Sequence, residues 1–363
     1  MSIQYKDSQN SDVDLKIQEM LSELPEFCTD YYKENHKRFR PLTAYRYFQR
    51  LRFFFRWLIL YDYHNGSIKE ITVYELSTLQ RKVFTDFLYH IDVYGARSET
   101  EYNELVAKGK APTQSSTATR NNYLSALKSL YRFFVDNLLI DPNSVPAVFN
   151  IRGEKLTKTK PTVLNDLQQE KILTTIEYGS EKFSNHQEVH RQITSTRDIA
   201  IYVIGTHTGL RVAEIAGIDL EDIHFQEHKI SGVYRKRNKV DTIFMDDTVE
   251  QVIKDWLITR STLHVPSDEH ALFVSTQGTK KGTRLSVRSI ENLVKKYAAV
   301  AAPDTDKPIT PHKLRATCAT NIIKKTGDLN YAKEVLSHTN VETTIHYLNE
   351  GDEKKEKYRN LLK

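Results

Sequence analysis

Apolar residues recur at intervals of three and four along most of the chain, so helices are the predicted elements. Leu15, Met20, Leu21 and Leu24 suggest a first helix. Phe48, Leu51, Phe55 and Leu58 mark a second, with Arg46, Arg50 and Arg56 interleaved, and Phe84, Phe87 and Leu88 a third. Leu124, Leu127, Tyr131, Phe134 and Leu138 mark a fourth, opening from Ser115-Ser116-Thr117-Ala118-Thr119. Those hydroxyls can cap the helix, and the free N–H groups there could also hold phosphate. Residues Gly95 to Gln114 are polar and read as a loop. The stretch from Arg152 to Thr162 carries Arg152, Lys155, Lys158 and Lys160 against Glu154 with no apolar period. It reads equally as a basic tether and as an ordinary linker.

From Val163 the pattern is mixed. Ile199, Val203 and Ile204 predict a helix ending at Gly209. Lys229–Arg235 and Val240–Met245 are rich in Val, Ile, Tyr and Phe and flank Lys236-Arg237-Asn238-Lys239, which predicts a hairpin. Val252, Ile253, Trp256 and Leu257 give a helix, and Ala271-Leu272-Phe273-Val274 a short strand. Val287, Ile290, Leu293, Val294 and Tyr297 give a helix after Ser286. Thr310 as N-cap and Pro311 at the first position open another, with His312 and Arg315 in its first turn. The fold class expected is mainly α: a helical domain over 1–155, then a mostly helical α/β domain over 156–363 with a small sheet and a C-terminal tail.

The 363 residues suit two domains, and 39% hydrophobic with 27% charged residues suits globular ones. No apolar run is long enough to span a membrane and the N-terminus lacks an export leader, so a cytoplasmic protein is expected. Cys28 and Cys318 read as free buried thiols. The net charge is +5, but Lys33 to Arg56 holds eight basic residues against Glu34, a local +7. Such a stretch suits a polyanion, or a solvated face covered by counter-charges.

The candidate chemistry lies late in the chain. Thr208-Gly209-Leu210-Arg211-Val212-Ala213-Glu214 is followed by Thr310-Pro311-His312-Lys313-Leu314-Arg315, by Leu336-Ser337-His338, and by Tyr347 nine residues after His338. Arginine forks suit the non-bridging oxygens of a phosphoryl-transfer transition state. Arg211 and Arg315 are the candidates, with Glu214 placed to steady Arg211. His312 and His338 could donate or carry protons. Tyr347 is the candidate nucleophile; a phenol with a free pKa of about 10 needs nearby cations for that role. Lys236 and Lys239, at the hairpin tip, are candidates to protonate a leaving oxygen. Neither a G-x-x-x-x-G-K loop nor a dinucleotide fingerprint is present; His224 and His228 are four apart without a carboxylate-rich motif, and His312, His338 and His346 lack close ligand spacing. No cofactor and no metal are expected.

The ordered set Arg211, Lys236, His312, Arg315, His338 and Tyr347 resembles the tyrosine recombinases, or phage integrase family. The resemblance implies that Lys236 rather than Lys239 acts, because Lys236-Arg237-Asn238-Lys239 resembles the family's G-K-G-x-K hairpin. The first domain is similar to the family's helical core-binding (SAM-like) domain, through Phe55-Arg56-Trp57-Leu58 and Tyr123-Leu124-Ser125-Ala126-Leu127. The long N-terminal half, the polar insert before Ser115 and the insert from Tyr178 to Thr196 resemble the single-recombinase Xer subgroup, the XerS type. Ala316 and Ser337 depart from the family's H-x-L-R-H and L-G-H patterns.

This resemblance implies cleavage and rejoining of double-stranded DNA at a specific site through a 3′-phosphotyrosine and a Holliday junction. It further implies a homotetramer on two sites, with a regulatory DNA translocase or accessory factor as a candidate partner. DNA-binding residues expected are Arg46, Arg50, Arg56, Ser115, Thr117, Arg120 and Lys239. Chromosome dimer resolution is the expected role. Integration or excision of a mobile element, a type IB topoisomerase and a non-catalytic DNA-binding regulator are the alternatives.

Overall fold

The computed structural model describes residues 3–110, 114–141, 143–155, 163–234, 240–305 and 308–336. Lys236, Lys239, His338 and Tyr347 lie outside the described residues, as does most of the stretch expected to link the domains. Two compact units divide the chain, one over Asp7–Lys158 and the other containing Thr159–Lys363.

The first unit is helical: α1 (Ile3–Leu21), α2 (Glu26–Asn35), α3 (Pro41–Leu60), α4 (Val73–Thr78), α5 (Arg81–Tyr94), α6 (Glu99–Ala107) and α7 (Thr117–Asp136). Its core is aromatic. Phe48, Phe54, Phe55, Phe84, Phe87 and Phe134 are all sealed from solvent, and Phe54 meets Phe87 edge-on at 4.9 Å. Such ring pairs add specific geometry to area burial. The periodicity identifies α3, α5 and α7, because each turns one apolar stripe inward.

Three expectations need correction. Leu15 is 63% exposed and Ile17 is buried in its place, while Met20, Leu21 and Leu24 are buried as expected. Leu138 lies past the end of α7, exposed and at φ 55°, so it is not part of the helical stripe. The polar stretch from Gly95 to Gln114 is not all loop: it contains α6. A reciprocal cap starts that helix, with the Ser98 hydroxyl accepting from Glu101 N–H and the Glu101 carboxylate accepting from Ser98 N–H. No residue of α6 is buried, although Tyr102, Leu105 and Val106 keep helical spacing along it.

The second unit contains α8 (Asp166–Tyr178), α9 (Asn185–His207), α10 (Val212–Ala216), β1 (Ile223–His224), β2 (Lys229–Tyr234), β3 (Val240–Phe244), α11 (Asp247–Ser261), α12 (Val287–Ala301), α13 (Pro311–Thr326) and α14 (Leu329–Val335). The three strands form an antiparallel sheet in the order β1-β2-β3, with Ile230 opposite Ile243 and Tyr234 opposite Val240. The register shifts between Ile230 and Val233, where Gly232 takes φ 65°. A Cβ there would come within 2.6 Å of Asp222 Oδ1, so the bulge requires glycine.

Ala271–Val274 is not a strand. Its four side chains are buried and its backbone makes only isolated bridges, Asp219 to Ala271 and Val274 to Arg284. A short apolar run satisfies its burial without a ladder. The insert from Tyr178 to Thr196 is built into the fold: α9 starts inside it, capped by Ser184 and Gln187, and buried Arg191 donates to the carbonyls of Ile176 and Glu177 at the end of α8. No described helix is long and apolar enough to cross a membrane.

Candidate active site

The end of α9 builds the first half of the site. Thr208 closes the helix by donating its hydroxyl to the Ile204 carbonyl at 2.6 Å. Gly209 then turns the chain at φ 62°. A Cβ on it would stand 2.3 Å from Leu336 Cδ2 and 3.2 Å from Cys318 Sγ, so a side chain is excluded on both conformational and steric grounds. The turn delivers Arg211 at the N-cap of α10. Glu214, buried at 3% exposure, takes the Arg211 backbone N–H at 2.7 Å and its Nη1 at 2.8 Å. The Arg211 side chain remains 38% exposed, but its guanidinium is held by a buried carboxylate.

Helix α13 supplies the second half. Thr310 occupies its N-cap position without a side-chain bond, and Pro311 presets the first turn. His312 and Arg315 sit one turn apart but in opposite environments. Arg315 is 2% exposed, and its Nη1 and Nη2 donate to the carbonyls of Gly209 and Leu336. It therefore ties the arginine turn to the end of α14, where the segment carrying Ser337, His338 and Tyr347 begins. His312 is exposed. Its imidazole pKa is pushed below the ordinary value, first by desolvation and then by the positive charges of Arg315 and Arg211. That shared influence puts His312, Arg211 and Arg315 in one neighbourhood and favours the neutral ring near pH 7.

Sequence reasoning missed two supporting contacts. His207 Nδ1 lies 2.7 Å from Asp246 Oδ2, joining the end of α9 to the cap of α11 beside the hairpin. Arg284 pairs with Asp219 and donates to the Ala216 carbonyl at 3.1 Å, bracing the far end of α10. His207 directly precedes the T-G-x-R run and could have been noticed there; Arg284 carries no sequence signal. Cys318 is buried behind the turn, its thiol donating to the His207 carbonyl at 3.3 Å, and burial pushes its pKa up to about 12. Both cysteines are free.

The candidate DNA-contacting residues of the first unit divide into distinct groups. Arg46 is exposed and Arg50 half-buried, one turn apart on α3. Desolvation lowers the Arg50 pKa, with Tyr123 and Arg46 among the charges and dipoles nearby. Arg52 and Arg56 instead face Glu23, at 3.2 and 3.8 Å. The basic stretch is therefore not one stripe, because a helix of about 3.6 residues per turn rotates these pairs onto different faces. Ser115 donates its N–H to the Asp92 carbonyl at 3.4 Å, Ser116 rather than Ser115 is the N-cap of α7, and Thr117 is the first helical residue. Arg120 is engaged within the unit, 3.1 Å from Asp92 and 3.4 Å from Glu154, and its side chain is 15% exposed.

A fold of this kind, with a cationic turn and a histidine-bearing helix start converging, belongs to a recognised class. Residues 163–354 match the model of the phage integrase family. The chain belongs to that family, the tyrosine recombinases, enzymes that cleave and rejoin DNA. Within it, the chain is similar to tyrosine recombinase XerS of Streptococcus thermophilus, 27% identical over 363 residues, covering 95% of this chain and 98% of that protein. It is also similar to XerS of Streptococcus uberis, 26% identical, covering 92% and 94%. Among solved structures it resembles the XerH recombinase bound to a palindromic difH substrate after cleavage, with a TM-score of 0.62, 21% identity, and 95% and 88% of the two chains covered. A lambda integrase dimer bound to a core site gives a TM-score of 0.58 at 14% identity, covering 93% and 81%.

Proposed function

We propose that this chain is a site-specific recombinase of the Xer type, which binds double-stranded DNA and exchanges strands through a 3′-phosphotyrosine on Tyr347. The observation that carries the reading is the convergence of Arg211, Arg315 and His312 at the junction of α9, α10 and α13, within a chain similar to XerS over nearly its whole length. Arg211, held by Glu214, is set to bind a non-bridging phosphate oxygen and the charge that grows there in the transition state. Arg315 holds the two backbone segments around that oxygen, so its first role is positional. Neutral His312 can hydrogen-bond a phosphate oxygen without itself adding a full charge. His338 and Tyr347 follow within eleven residues of the Leu336 carbonyl that Arg315 grips. Lys236 from the hairpin is the proposed acid for the leaving 5′ oxygen.

The whole-length similarity to XerS favours chromosome dimer resolution over movement of an element, with a homotetramer on two sites as the assembly. Protein incubated with nicked suicide DNA tests the chemistry. Wild type should form a covalent adduct and Tyr347→Phe none; equal adducts from both would remove Tyr347. Relaxation of arbitrary plasmids without recombinant product would move the assignment to a type IB topoisomerase. The role is tested by deleting the gene: dimeric chromosomes should accumulate, and should disappear when homologous recombination is also disabled.

A further inference from the structure

A polar cavity lies away from the arginine turn. It measures about 460 Å³ and opens between α9, the segment Ser275–Gln277 and α12. That size falls within the range of small-ligand sites, roughly 300–1,000 Å³. Asp198, in its floor, lies nine residues before the end of α9, about 14 Å along the helix from His207. The wall formed by Gln187 and His190 comes from the Tyr178–Thr196 insert, a feature the recombination chemistry leaves unused.

The charges of the cavity are unevenly matched. Asp198 receives Arg197 at 2.8 and 2.9 Å, the Tyr297 hydroxyl at 2.9 Å and Thr194 at 3.1 Å, so its oxygens are fully engaged. Glu188, the other carboxylate close by, is taken by Arg191 at 2.6 Å. Lys296 thus faces the cavity with both neighbouring carboxylates committed to arginines. Its ammonium is held over the rings of Tyr297 and Phe183, at 4.6 and 4.8 Å, which fixes its position without neutralising it. Desolvation is the largest influence on its pKa and pulls it down, with the nearby charge of Asp198 acting in the opposite direction. Gln187, Gln277 and Asn292 supply amides at the rim, while Leu285 and Leu293 give apolar wall.

We propose that this cavity binds a small anionic ligand, carboxylate- or phosphate-bearing, whose charged group meets Lys296 and whose body is hydrogen-bonded by the rim amides. The site is distinct from the DNA-processing centre and does not rest on the recombinase reading.

Calorimetric titration of the full-length protein at fixed ionic strength tests it, with AMP and citrate as probes separating the phosphate from the carboxylate source. At least one probe should bind once per chain. Lys296→Gln should weaken that binding by at least about tenfold, the loss expected for a charge-assisted contact, and Lys296→Arg should restore most of it. Asn292→Phe, which fills the rim without altering charge, should also block binding. Lys295→Gln should match wild type, and so should Arg211→Ala. Loss of binding in Arg211→Ala with retention in Lys296→Gln would place the anion at the catalytic arginines and overturn the proposal. Absence of saturable binding of either probe below about 1 mM would overturn it too.

Discussion

The arginines around the α9–α10 turn and those along α3 carry the same group into opposite surroundings. Arg211 is aimed by a buried carboxylate, and Arg315 is locked onto two backbone carbonyls with almost no exposure. On α3, Arg46 projects into solvent, and Arg52 and Arg56 share a half-exposed Glu23. Donors that are already fixed need no reorganisation when charge develops in a transition state. Solvated ones act through a screened field and through counterion release. The difference separates a rate effect from an affinity effect, and it can be tested at both ends.

The largest effect is expected at Arg315. Arg315→Ala leaves the Gly209 and Leu336 carbonyls without a guanidinium in a buried place, at a cost of about 3 kcal/mol in urea unfolding. Suicide-substrate cleavage should fall by at least about a hundredfold. Arg211→Ala should slow cleavage by about 10²–10³ while weakening DNA binding far less. Near-normal cleavage by either variant would erase the distinction between fixed and solvated arginines. Glu214→Gln keeps the size of the side chain but loses the charge that orients Arg211, and should slow cleavage about tenfold, with unchanged DNA affinity.

The described part of this site, around Arg211, His312 and Arg315, is readable from the sequence where its geometry depends on local signals. The end of α9 at Thr208-Gly209, the Pro311 start of α13 and the Arg211–Glu214 spacing of three are short-range features. The apolar spacings likewise find α3, α5, α7, α11 and α12, which bury one face each. Reading fails where burial and apolar pattern diverge. Helix α6 buries no residue fully and is marked at its start by its cap. Ala271–Val274 is apolar because it is enclosed, and composition cannot tell that from a strand. The burial of Arg315 is also out of reach: its carbonyl partners lie 106 and 21 residues away. Linear order presents the basic residues of α3 as one stretch, and only helical rotation separates them.

His312 offers a subtler measure of the arginine site. Its folded pKa is depressed, so between that value and about 6.5 the unfolded chain binds the extra proton. The stability this group contributes is present above pH 6.5 and is lost as pH falls through the folded value. An NMR titration of the His312 ring should therefore give a midpoint below about 6.5 in wild type. In Arg211→Ala one of the two depressing charges is gone, and the midpoint should move up. A midpoint that ignores Arg211 would mean the three groups do not share a field.

The smallest effect separates the two faces of α3 itself. Removing one phosphate-binding cation should flatten the dependence of log affinity on log salt by about one unit. Arg46→Ala with Arg50→Ala should reduce the slope by about two if both face the duplex backbone. Arg52→Ala with Arg56→Ala removes the partners of Glu23, so the change should be well under one, and the exposed pairs should cost no more than about 1 kcal/mol of stability. Equal slopes from the two double variants would show that Glu23 gives up its arginines when DNA arrives. The basic stretch would then act as a whole despite its division on the helix, and the contrast with the α9–α10 turn would rest on rate alone.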